Sequence, residues 1–363
     1  MSIGEGRTLR IYGSLRTAHL ERLSQMDPSL MWYLGTRPDF DESLVDLESP
    51  PAQMSLQKIL LGVTKRHFDR VEVNEPAHVL QWKLLIPVVL ILRIRGFLTR
   101  RRSTIVSYCI ENSDPATVAQ QRWGLSERSA RMLARITMQL LVRSSDRLAF
   151  GSSGSQELYG SYVGKACLDS RSRLFEGLPS PCTCLRDAHS KRDSNGVLFL
   201  GWFLDRKGIL PTLDAWHILQ GIRPETRFTL IGAGALQPQV ESWAAAHGEV
   251  SVLLDPPREQ IHRALRENSV LVLMTQREQL GLPILEALSH GCEVVTNSIT
   301  GLAAWLAAHG HEVLAPDSSA QAVAEAIALA LDRAALREGS LKDLPTTDQR
   351  IEADLWLATG GSS

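Results

Sequence analysis

The hydrophobic positions of this chain form short apolar runs, separated by longer segments with helical periodicity. In the first half the runs are "LRIYGS" at residues 9–14, "RVEVNEP" around residue 72, "STIVSYCIEN" around residue 107 and "RLAFGSS" around residue 149. Short apolar runs followed by turn residues are typical of buried strands. Their alternation with helical segments predicts a parallel sheet with helices packed against it.

The same alternation begins again after a connecting segment. Residues 174–196, "LFEGLPSPCTCLRDAHSKRDSNG", are rich in Pro, Ser, Cys and charge, and this composition indicates a connection between two domains. Six further apolar runs follow, each separated from the next by a helical segment. They are residues 197–203, 227–235, 250–257, 269–275, 292–298 and 311–316. This pattern predicts a second doubly wound α/β domain.

The predicted fold class is therefore α/β, with two Rossmann-like doubly wound domains facing a central cleft. A length of 363 residues also exceeds the usual size of one domain. We expect an N-terminal domain over residues 1–185, a C-terminal domain over 186–340 and a helical tail over 341–363. Ligands of open parallel sheets bind at the carboxyl ends of the strands, so the loops lining the cleft are where chemistry is expected.

Composition and charge exclude several other classes of protein. The chain is 44% hydrophobic and 22% charged with a net charge of −1, which is typical of a globular protein and gives no general attraction for nucleic acid. The five cysteines include one close pair, Cys182 and Cys184, and no zinc pattern. The start of the chain lacks the apolar run of a signal peptide, and the longest acid-free apolar run is too short to span a bilayer. We expect a cytoplasmic protein with free thiols and no bound metal.

Two glutamates flank a predicted helix start in "QREQLGLPILEALSHG", residues 276–291. Pro283 suits the first turn of a helix and Gly291 suits its end, so Glu278 should precede the helix and Glu286 should lie in its first turn. A helix N-terminus favours an anion such as a phosphate. Carboxylates beside a phosphate are suited to accept hydrogen bonds from sugar and ribose hydroxyls, although isolated glutamates here would more simply be a helix-dipole residue and a solvated loop charge.

The stretch "EQLGLPILEALSHG" resembles the donor-site motif of the family 4 retaining glycosyltransferases, group 1 glycosyl transferases with the two-domain GT-B fold. The resemblance implies that Glu278 contacts hydroxyls of the donor sugar and that Glu286 binds the ribose hydroxyls. It also implies that backbone amides between the glutamates hold the diphosphate and the sugar. Those amides belong to Gln279, Leu280, Gly281 and Leu282.

A second segment, "LFLGWFLDRKGILPTLDAW", resembles the part of the same family that carries a basic pair for the diphosphate. Lys207 falls on the family's lysine. Trp202 replaces an arginine that often follows the strand glycine, and Arg206 could substitute for it. Positive charge suits this place, because the leaving nucleoside diphosphate gains charge as its bond to the sugar breaks. The resemblance thus implies Lys207, Arg206 and Glu278 as the catalytic group, whereas without it the basic pair could equally be turn residues before Gly208.

Shorter matches extend the implied donor site. In "FTLIGAGA", Gly232 and Gly234 close a strand as in the nucleotide-side loop of the family, although Gln237 stands where the dinucleotide-binding fingerprint has its last glycine. Gly13 ends the first predicted strand, where the family uses a small residue to let the backbone approach the phosphates or the sugar.

The acceptor side matches more loosely. Ser14 follows Gly13, and the segment from Glu75-Pro76 to Glu111-Asn112 resembles a part of some family members that ends in an acid-Asn pair on the cleft side. The resemblance implies Ser14, Glu111 and Asn112 as acceptor-side residues. A strand-end turn with an exposed acid is an equally good interpretation of Glu111 and Asn112.

The same segment has no acid between Glu75 and Glu111, but it has one lysine and five arginines between residues 83 and 102. Such a segment could dock on anionic lipid at the inner membrane surface. The alternative is a core-packing helix followed by a solvated "TRRR" turn. We favour the alternative, because helices of Rossmann-like domains pack one apolar face on the sheet.

These observations predict a retaining glycosyltransferase that moves a sugar from a UDP- or GDP-linked donor to a hydroxyl of a glycan or lipid-linked glycan, as in polysaccharide or glycoconjugate synthesis. The family typically needs no metal, and the ten histidines show no ligand spacing. Two alternatives remain: a nucleotide-sugar epimerase on the same scaffold, and a protein that binds nucleotide sugars without turnover.

Overall fold

The computed structural model describes residues 8–15, 19–20, 29–36, 50–111, 113–175, 192–276, 278, 281–336 and 349–359. The chain forms two compact units. The first comprises Met1–Gly177 together with Gln349–Ser363, and the second comprises Leu178–Asp348. Each unit is an α/β structure with one parallel sheet, so the predicted fold class is confirmed at this level.

The first unit is built on a seven-stranded sheet with the order β3-β2-β1-β4-β5-β6-β7. Every pairing of neighbouring strands is parallel. The order reverses between β1 and β4, and this reversal defines a topological switch point. The strands are β1 (Thr8–Leu15), β2 (Leu30–Thr36), β3 (Ala52–Gln53), β4 (Arg70–Val73), β5 (Thr104–Cys109), β6 (Arg147–Phe150) and β7 (Ser172–Leu174).

Helices cover this sheet and begin at residues suited to a helix start. Ser55, Asp114 and Ser126 each accept a hydrogen bond from a backbone N–H of the first turn that they cap. The described helices of this unit are α1 (Leu56–Lys65), α2 (Trp82–Thr99), α3 (Pro115–Trp123), α4 (Glu127–Ser144), α5 (Ser153–Val163), α6 (Lys165–Asp169) and, from the end of the chain, α13 (Gln349–Thr359). The apolar faces of α1 to α4 share one core with β1, β4 and β5.

The second unit has a six-stranded parallel sheet with the order β10-β9-β8-β11-β12-β13. Its switch point lies between β8 and β11. The strands are β8 (Gly196–Leu200), β9 (Arg227–Ile231), β10 (Val250–Leu253), β11 (Val270–Leu273), β12 (Glu293–Asn297) and β13 (Glu312–Leu314). The described helices are α7 (Ile209–Ile222), α8 (Gln237–Ala245), α9 (Arg258–Glu267), α10 (Leu282–Ser289), α11 (Ala303–Ala308) and α12 (Ala320–Leu336).

Helix α13 packs on the first unit, although the chain reaches it only after the whole of the second unit. Its Asp354 accepts two hydrogen bonds of 2.8 Å from the guanidinium of Arg10 on β1. Arg10 is completely buried and also pairs with Glu72 on β4. A buried ion triad therefore fixes the last described helix to the centre of the first sheet.

Some elements were not predicted from the sequence. Strands β2, β3 and β7 were missed, and β3 and β7 contain only two and three residues. Strands this short are stabilised by pairing with their neighbours and carry little periodicity of their own. Among the described helices, none is both long enough and apolar enough to cross a membrane.

Candidate functional site

Lys207 and Glu278 form an ion pair at the switch point of the second sheet. Lys207 ends a 3₁₀ turn, Asp205–Lys207, in the loop after β8, and Glu278 lies in the loop after β11. The lysine Nζ donates to the Glu278 Oε2, and the two side chains are only 14% and 13% exposed. The structure thus brings together two of the three residues that the sequence comparison assigned to catalysis.

The backbone holds these two loops close together. The Gln276 N–H donates to the Arg206 carbonyl over 2.9 Å, and the Thr275 hydroxyl donates to the same oxygen over 3.1 Å. Gly208 has a φ of 73°, and a Cβ at this position would lie 1.6 Å from the Met274 carbonyl oxygen. Only glycine allows this approach of backbone to backbone, so Gly208 sets the place of the basic pair.

Arg206, the other member of the basic pair, has an exposed side chain. Its carbonyl fixes the loop, while its guanidinium projects from the same 3₁₀ turn as Lys207. Trp202, in the position where an arginine was expected, is 40% exposed. The carboxyl edge of this sheet therefore presents two cationic side chains, one paired and one exposed to solvent.

The predicted glycine loop lies against the loop that follows β8. The Phe203 N–H donates to the Ala233 carbonyl over 2.8 Å, and the Gly201 N–H donates to the Ile231 carbonyl over 2.9 Å. A Cβ on Gly232 would lie 1.9 Å from the Gly201 carbonyl oxygen, and one on Gly234 would lie 2.6 Å from that of Phe203. Both glycines are thus required by close backbone packing at the same edge of the sheet.

Glu286 lies one turn later in its helix than the sequence predicted. Helix α10 begins at Leu282, after Gly281 in a left-handed conformation with a φ of 70°, and its first turn contains no acid. The prediction of Glu286 in the first turn was wrong, because residues 282–285 already fill that turn. The Glu286 carboxylate instead accepts a 2.7 Å hydrogen bond from Arg258 Nη1, in the first turn of α9.

Arg258 was not found by the sequence analysis. It follows Pro256-Pro257 at the start of α9. Nothing in its local sequence reveals a partner 28 positions away. The ion pair joins the N-terminal turn of α9 to the second turn of α10.

Glu286 is followed in the same helix by His290, which is buried and contacts the half-buried His262 of α9. His290 Nδ1 is 2.6 Å from the Glu286 carbonyl oxygen, and His290 Nε2 is 3.0 Å from His262 Nδ1. Burial lowers the pKa of His290 to about 4. His290 is therefore neutral near pH 7, and it supports the helix end without adding charge to the site.

In the first unit, the predicted residues lie near the carboxyl ends of the central strands. Gly13 and Ser14 fall within the last three residues of β1, which continues to Leu15. A Cβ on Gly13 would meet the Gln81 side chain at 3.4 Å, an ordinary contact. Glu111 accepts a 2.9 Å hydrogen bond from the Ser113 N–H, so a strand-end turn is present here. The acid in this turn is only 4% exposed, whereas that alternative expected an exposed acid.

Glu75 is a further residue that the sequence analysis did not assign. It follows β4 with a φ of 60°, and its carboxylate accepts hydrogen bonds from the backbone N–H of Ile110 and of Glu111, at 3.0 and 2.9 Å. Glu75 thus ties together the ends of β4 and β5. Glu75 is therefore the acid that organises this strand end, and it binds Glu111 through the Glu111 backbone N–H.

Three predicted residues, Gln279, Leu280 and Asn112, lie outside the described part of the chain. Cys182 and Cys184 lie outside it as well, and the described cysteines are free thiols. Within the described residues, no group of three or more His, Cys, Asp or Glu side chains is placed to hold a metal.

The two parallel sheets, with a paired lysine and glutamate at one switch point, place the chain in the GT-B fold class. Residues 185–339 match the family described as "Glycosyl transferases group 1". The matched residues fall in the second unit, and together with the fold they support a glycosyltransferase. A search of the curated proteins by sequence found no match.

Solved structures agree in fold over nearly the whole chain. WaaG, a glycosyltransferase involved in lipopolysaccharide biosynthesis, has a TM-score of 0.60 at 14% identity, covering 98% of this chain and 100% of that one. A UDP-forming α,α-trehalose-phosphate synthase from Burkholderia vietnamiensis has a TM-score of 0.64 at 14% identity, with 97% and 99% covered. Anabaena Alr3699/HepE, solved in complex with UDP, has a TM-score of 0.59 at 14% identity, with 97% and 94% covered. These likenesses concern the fold.

Proposed function

We propose that this protein is a retaining family 4 glycosyltransferase that moves a sugar from a UDP- or GDP-linked donor to a hydroxyl of a glycan or lipid-linked glycan. The observation that carries the proposal is the Lys207–Glu278 ion pair at the switch point between β8 and β11. Ligands of open parallel sheets bind at this place. The UDP complex of a protein with the same fold supports a nucleotide donor.

Lys207 and Arg206 are assigned to the leaving diphosphate. When the bond between the sugar C1 and the phosphate oxygen breaks, negative charge grows on that oxygen, and a fixed cation stabilises it. Glu278 holds Lys207 by an ion pair, and this contact keeps the ammonium group in place before the donor binds. Glu278 also supplies acceptor oxygens for hydroxyls of the donor sugar.

Glu286 is assigned to the ribose hydroxyls. Its Oε1 accepts a hydrogen bond from Arg258, which orients the carboxylate so that its Oε2 can accept from a ribose hydroxyl. The backbone amides of residues 279–282 are assigned to the diphosphate and the sugar. Of these four residues, Gly281 and Leu282 belong to the described part of the chain. Gly232, Gly234 and Gly13 are assigned to close backbone approach on the donor side.

The proposed reaction is a same-face substitution without a side-chain nucleophile. The bond from C1 to the diphosphate oxygen breaks, a bond from C1 to the acceptor oxygen forms on the same face, and the acceptor proton passes to the leaving phosphate. Ser14, Glu111 and Asn112 are assigned to the acceptor side. We propose that the reaction needs no metal and takes place in the cytoplasm.

Thermal unfolding with a panel of nucleotides tests the donor assignment. A ligand that binds only the native state raises its stability by RT ln(1 + [L]/Kd). We expect UDP or GDP, together with their sugar conjugates, to raise the melting temperature, and ADP to raise it less. A panel in which no nucleoside diphosphate moves the melting temperature would overturn the proposal.

Glu286→Gln should weaken nucleotide binding while leaving the fold intact. A neutral amide accepts a ribose hydroxyl less strongly than a carboxylate and also loses the ion pair with Arg258, so we expect Kd to rise about tenfold. Isothermal titration with the preferred nucleoside diphosphate measures the effect. Glu259→Gln is the matched control, because Glu259 is an exposed acid of the neighbouring helix α9; equal Kd values for the two variants would contradict the ribose assignment.

Two other functions give different results with the same samples. A nucleotide-sugar epimerase would change the donor sugar in the absence of any acceptor. A binding protein without turnover would be stabilised by nucleotide but would neither transfer the sugar nor hydrolyse the donor. The Lys207–Glu278 pair favours transfer, because it provides a fixed cation for a departing diphosphate.

A further inference from the structure

Helix α2 has one buried face and one exposed apolar face. Its buried side chains pack in the core of the first unit, as the favoured interpretation of residues 83–102 predicted. The opposite side of the same helix exposes large apolar side chains at helical spacing, and Phe97 is 85% exposed. These side chains are Leu90, Ile94, Phe97 and Leu98.

Helices α3 and α4 continue this exposed apolar surface. Helix α4 lies beside α2, since Arg93 Nε on α2 donates to the Ser144 carbonyl at the end of α4 over 3.0 Å. An open groove of about 660 Å³ runs between them, with walls that include Trp82, Trp123 and Leu133. Further exposed apolar side chains of these helices are Trp123, Met132, Leu133 and Ile136. We call the exposed side of α2, α3 and α4 the α2–α4 face.

The concentration of such residues distinguishes this face from an ordinary surface. Of sixteen large apolar side chains exposed in the described part of the chain, nine lie between residues 80 and 136. Single exposed apolar residues are normal, whereas a large contiguous apolar surface marks a place of interaction.

The α2–α4 face is also basic. Residues 82–143 contain eleven Lys and Arg side chains and three acidic ones, and two of these cations, Arg93 and Arg102, pair with Asp146 just beyond that range. Of the three acids, Glu111 is buried and Asp114 caps α3 and accepts a hydrogen bond from Tyr162. Only Glu127 of these three is exposed, and it pairs with Arg131. The sequence analysis noticed the charges up to residue 102. In the structure Arg122 of α3 lines the same groove as Lys83 of α2.

We propose that the α2–α4 face docks on an anionic lipid bilayer. Phe97 and Leu98 lie directly before Arg100 and Arg101, so apolar side chains can enter the acyl boundary while guanidinium groups meet lipid phosphates. Lys83 and Arg122 line the groove beside its apolar walls. The walls can therefore contact an acyl chain while the two cations bind the anionic headgroup of the same lipid.

The charge and the side-chain types favour a bilayer over other partners. A second copy of this chain would bring like charges together, which opposes self-association through this face. A single-stranded nucleic acid would favour aromatic side chains on which bases stack. On this face only Phe97 and Trp123 of the eight exposed apolar side chains named above are aromatic. An anionic lipid bilayer offers phosphates for the cationic side chains and acyl chains for the aliphatic ones.

Vesicle co-sedimentation of the full chain tests the proposal. We expect binding to vesicles of phosphatidylcholine with phosphatidylglycerol, weak binding to phosphatidylcholine alone, and a loss of binding as salt is raised. Phe97→Ser with Leu98→Ser, and separately Arg101→Glu with Arg135→Glu, should each weaken binding about tenfold or more.

Matched controls lie in the second unit. Leu336→Ser removes an apolar side chain that is also 85% exposed, and Arg263→Glu reverses an exposed charge on α9; both should bind vesicles like the unchanged protein. Circular dichroism checks that each variant is folded. Equal binding to neutral and anionic vesicles, no binding to either, or a dimer in sedimentation velocity that Phe97→Ser with Leu98→Ser dissolves would overturn the proposal.

The vesicle assay needs no donor, acceptor or turnover, so its result is independent of the proposed sugar transfer. An unchanged donor-binding curve in the Phe97→Ser, Leu98→Ser variant, together with lost vesicle binding, is the expected combination. If the unchanged protein bound vesicles but no nucleotide, the proposed function would be contradicted and the lipid-docking proposal would not.

Discussion

Lys207→Ala is expected to lower kcat for sugar transfer by about 10²- to 10³-fold, the usual cost of removing one group that stabilises charge in a transition state. The ammonium group of Lys207 is held at the switch point by Glu278 and is mostly buried. It therefore acts where the dielectric constant is low and an interaction with a phosphate oxygen is strong. The loss should appear mainly in kcat, because the charge on the leaving diphosphate is greatest in the transition state.

A comparison of variants separates this role from a loss of stability. Lys165→Ala removes an exposed lysine of the first unit and should leave transfer unchanged. Glu278→Gln keeps the shape of the partner but removes its charge, so it should also lower transfer, while nucleoside diphosphate binding is kept. Turnover of Lys207→Ala at the rate of the unchanged protein would rule out Lys207 as the residue that stabilises the leaving group.

The strands that bear the Lys207–Glu278 pair could be predicted from the sequence. The apolar runs at residues 197–203 and 269–275 overlap β8 and β11, and the loops after these strands carry Lys207 and Glu278. These predictions succeeded because buried parallel strands are continuous apolar runs bounded by turn residues. Gly232 and Gly234 were also correctly placed at the end of a strand, where the structure shows backbone packing that a Cβ would block.

The interactions that the sequence did not reveal join residues far apart in the chain. Arg258 binds Glu286 from another helix, and Glu75 binds the backbone at the end of β5. An ionic partner has no local pattern, because any exposed or buried residue of opposite charge would look the same in the sequence. The position of Glu286 was wrong for a different reason: helix ends predicted from Pro and Gly are uncertain by a few residues.

Core packing of residues 83–102 is compatible with the lipid-docking interpretation, which is a proposal. Burial of one face of α2 satisfies the core, and an 18-residue helix is about 27 Å long, so its opposite face has room for a separate apolar stripe. Periodicity alone showed an almost wholly apolar segment and could not separate the buried positions from the exposed ones. Only the packing of α1, α4 and β5 against α2 makes that distinction.

Arg10→Met is expected to lower the free energy of unfolding of the first unit by about 3–5 kcal/mol, as breaking a buried ion pair does. Arg10 is completely buried, and its removal leaves the carboxylates of Glu72 and Asp354 without their cation. Burial acts to lower the pKa of Arg10, but the two carboxylates raise it above its ordinary value, so the guanidinium stays charged at every pH at which the protein is folded. Chemical denaturation measures the loss.

The matched control is Arg131→Met, which breaks an ion pair whose side chains are 71% and 76% exposed and which should cost less than about 1 kcal/mol. Hydrogen exchange locates the effect: in Arg10→Met, amides of residues 349–359 should exchange faster, because Asp354 loses the contact that spans 344 positions of the chain. Asp354→Leu together with Arg10→Met should cost less than the sum of the single changes, since the two side chains interact directly. If Arg10→Met cost no more than Arg131→Met, another contact would have to fix α13 to the first sheet, and the apolar contacts of Ala353 and Leu357 with β5 and β6 would be next to test.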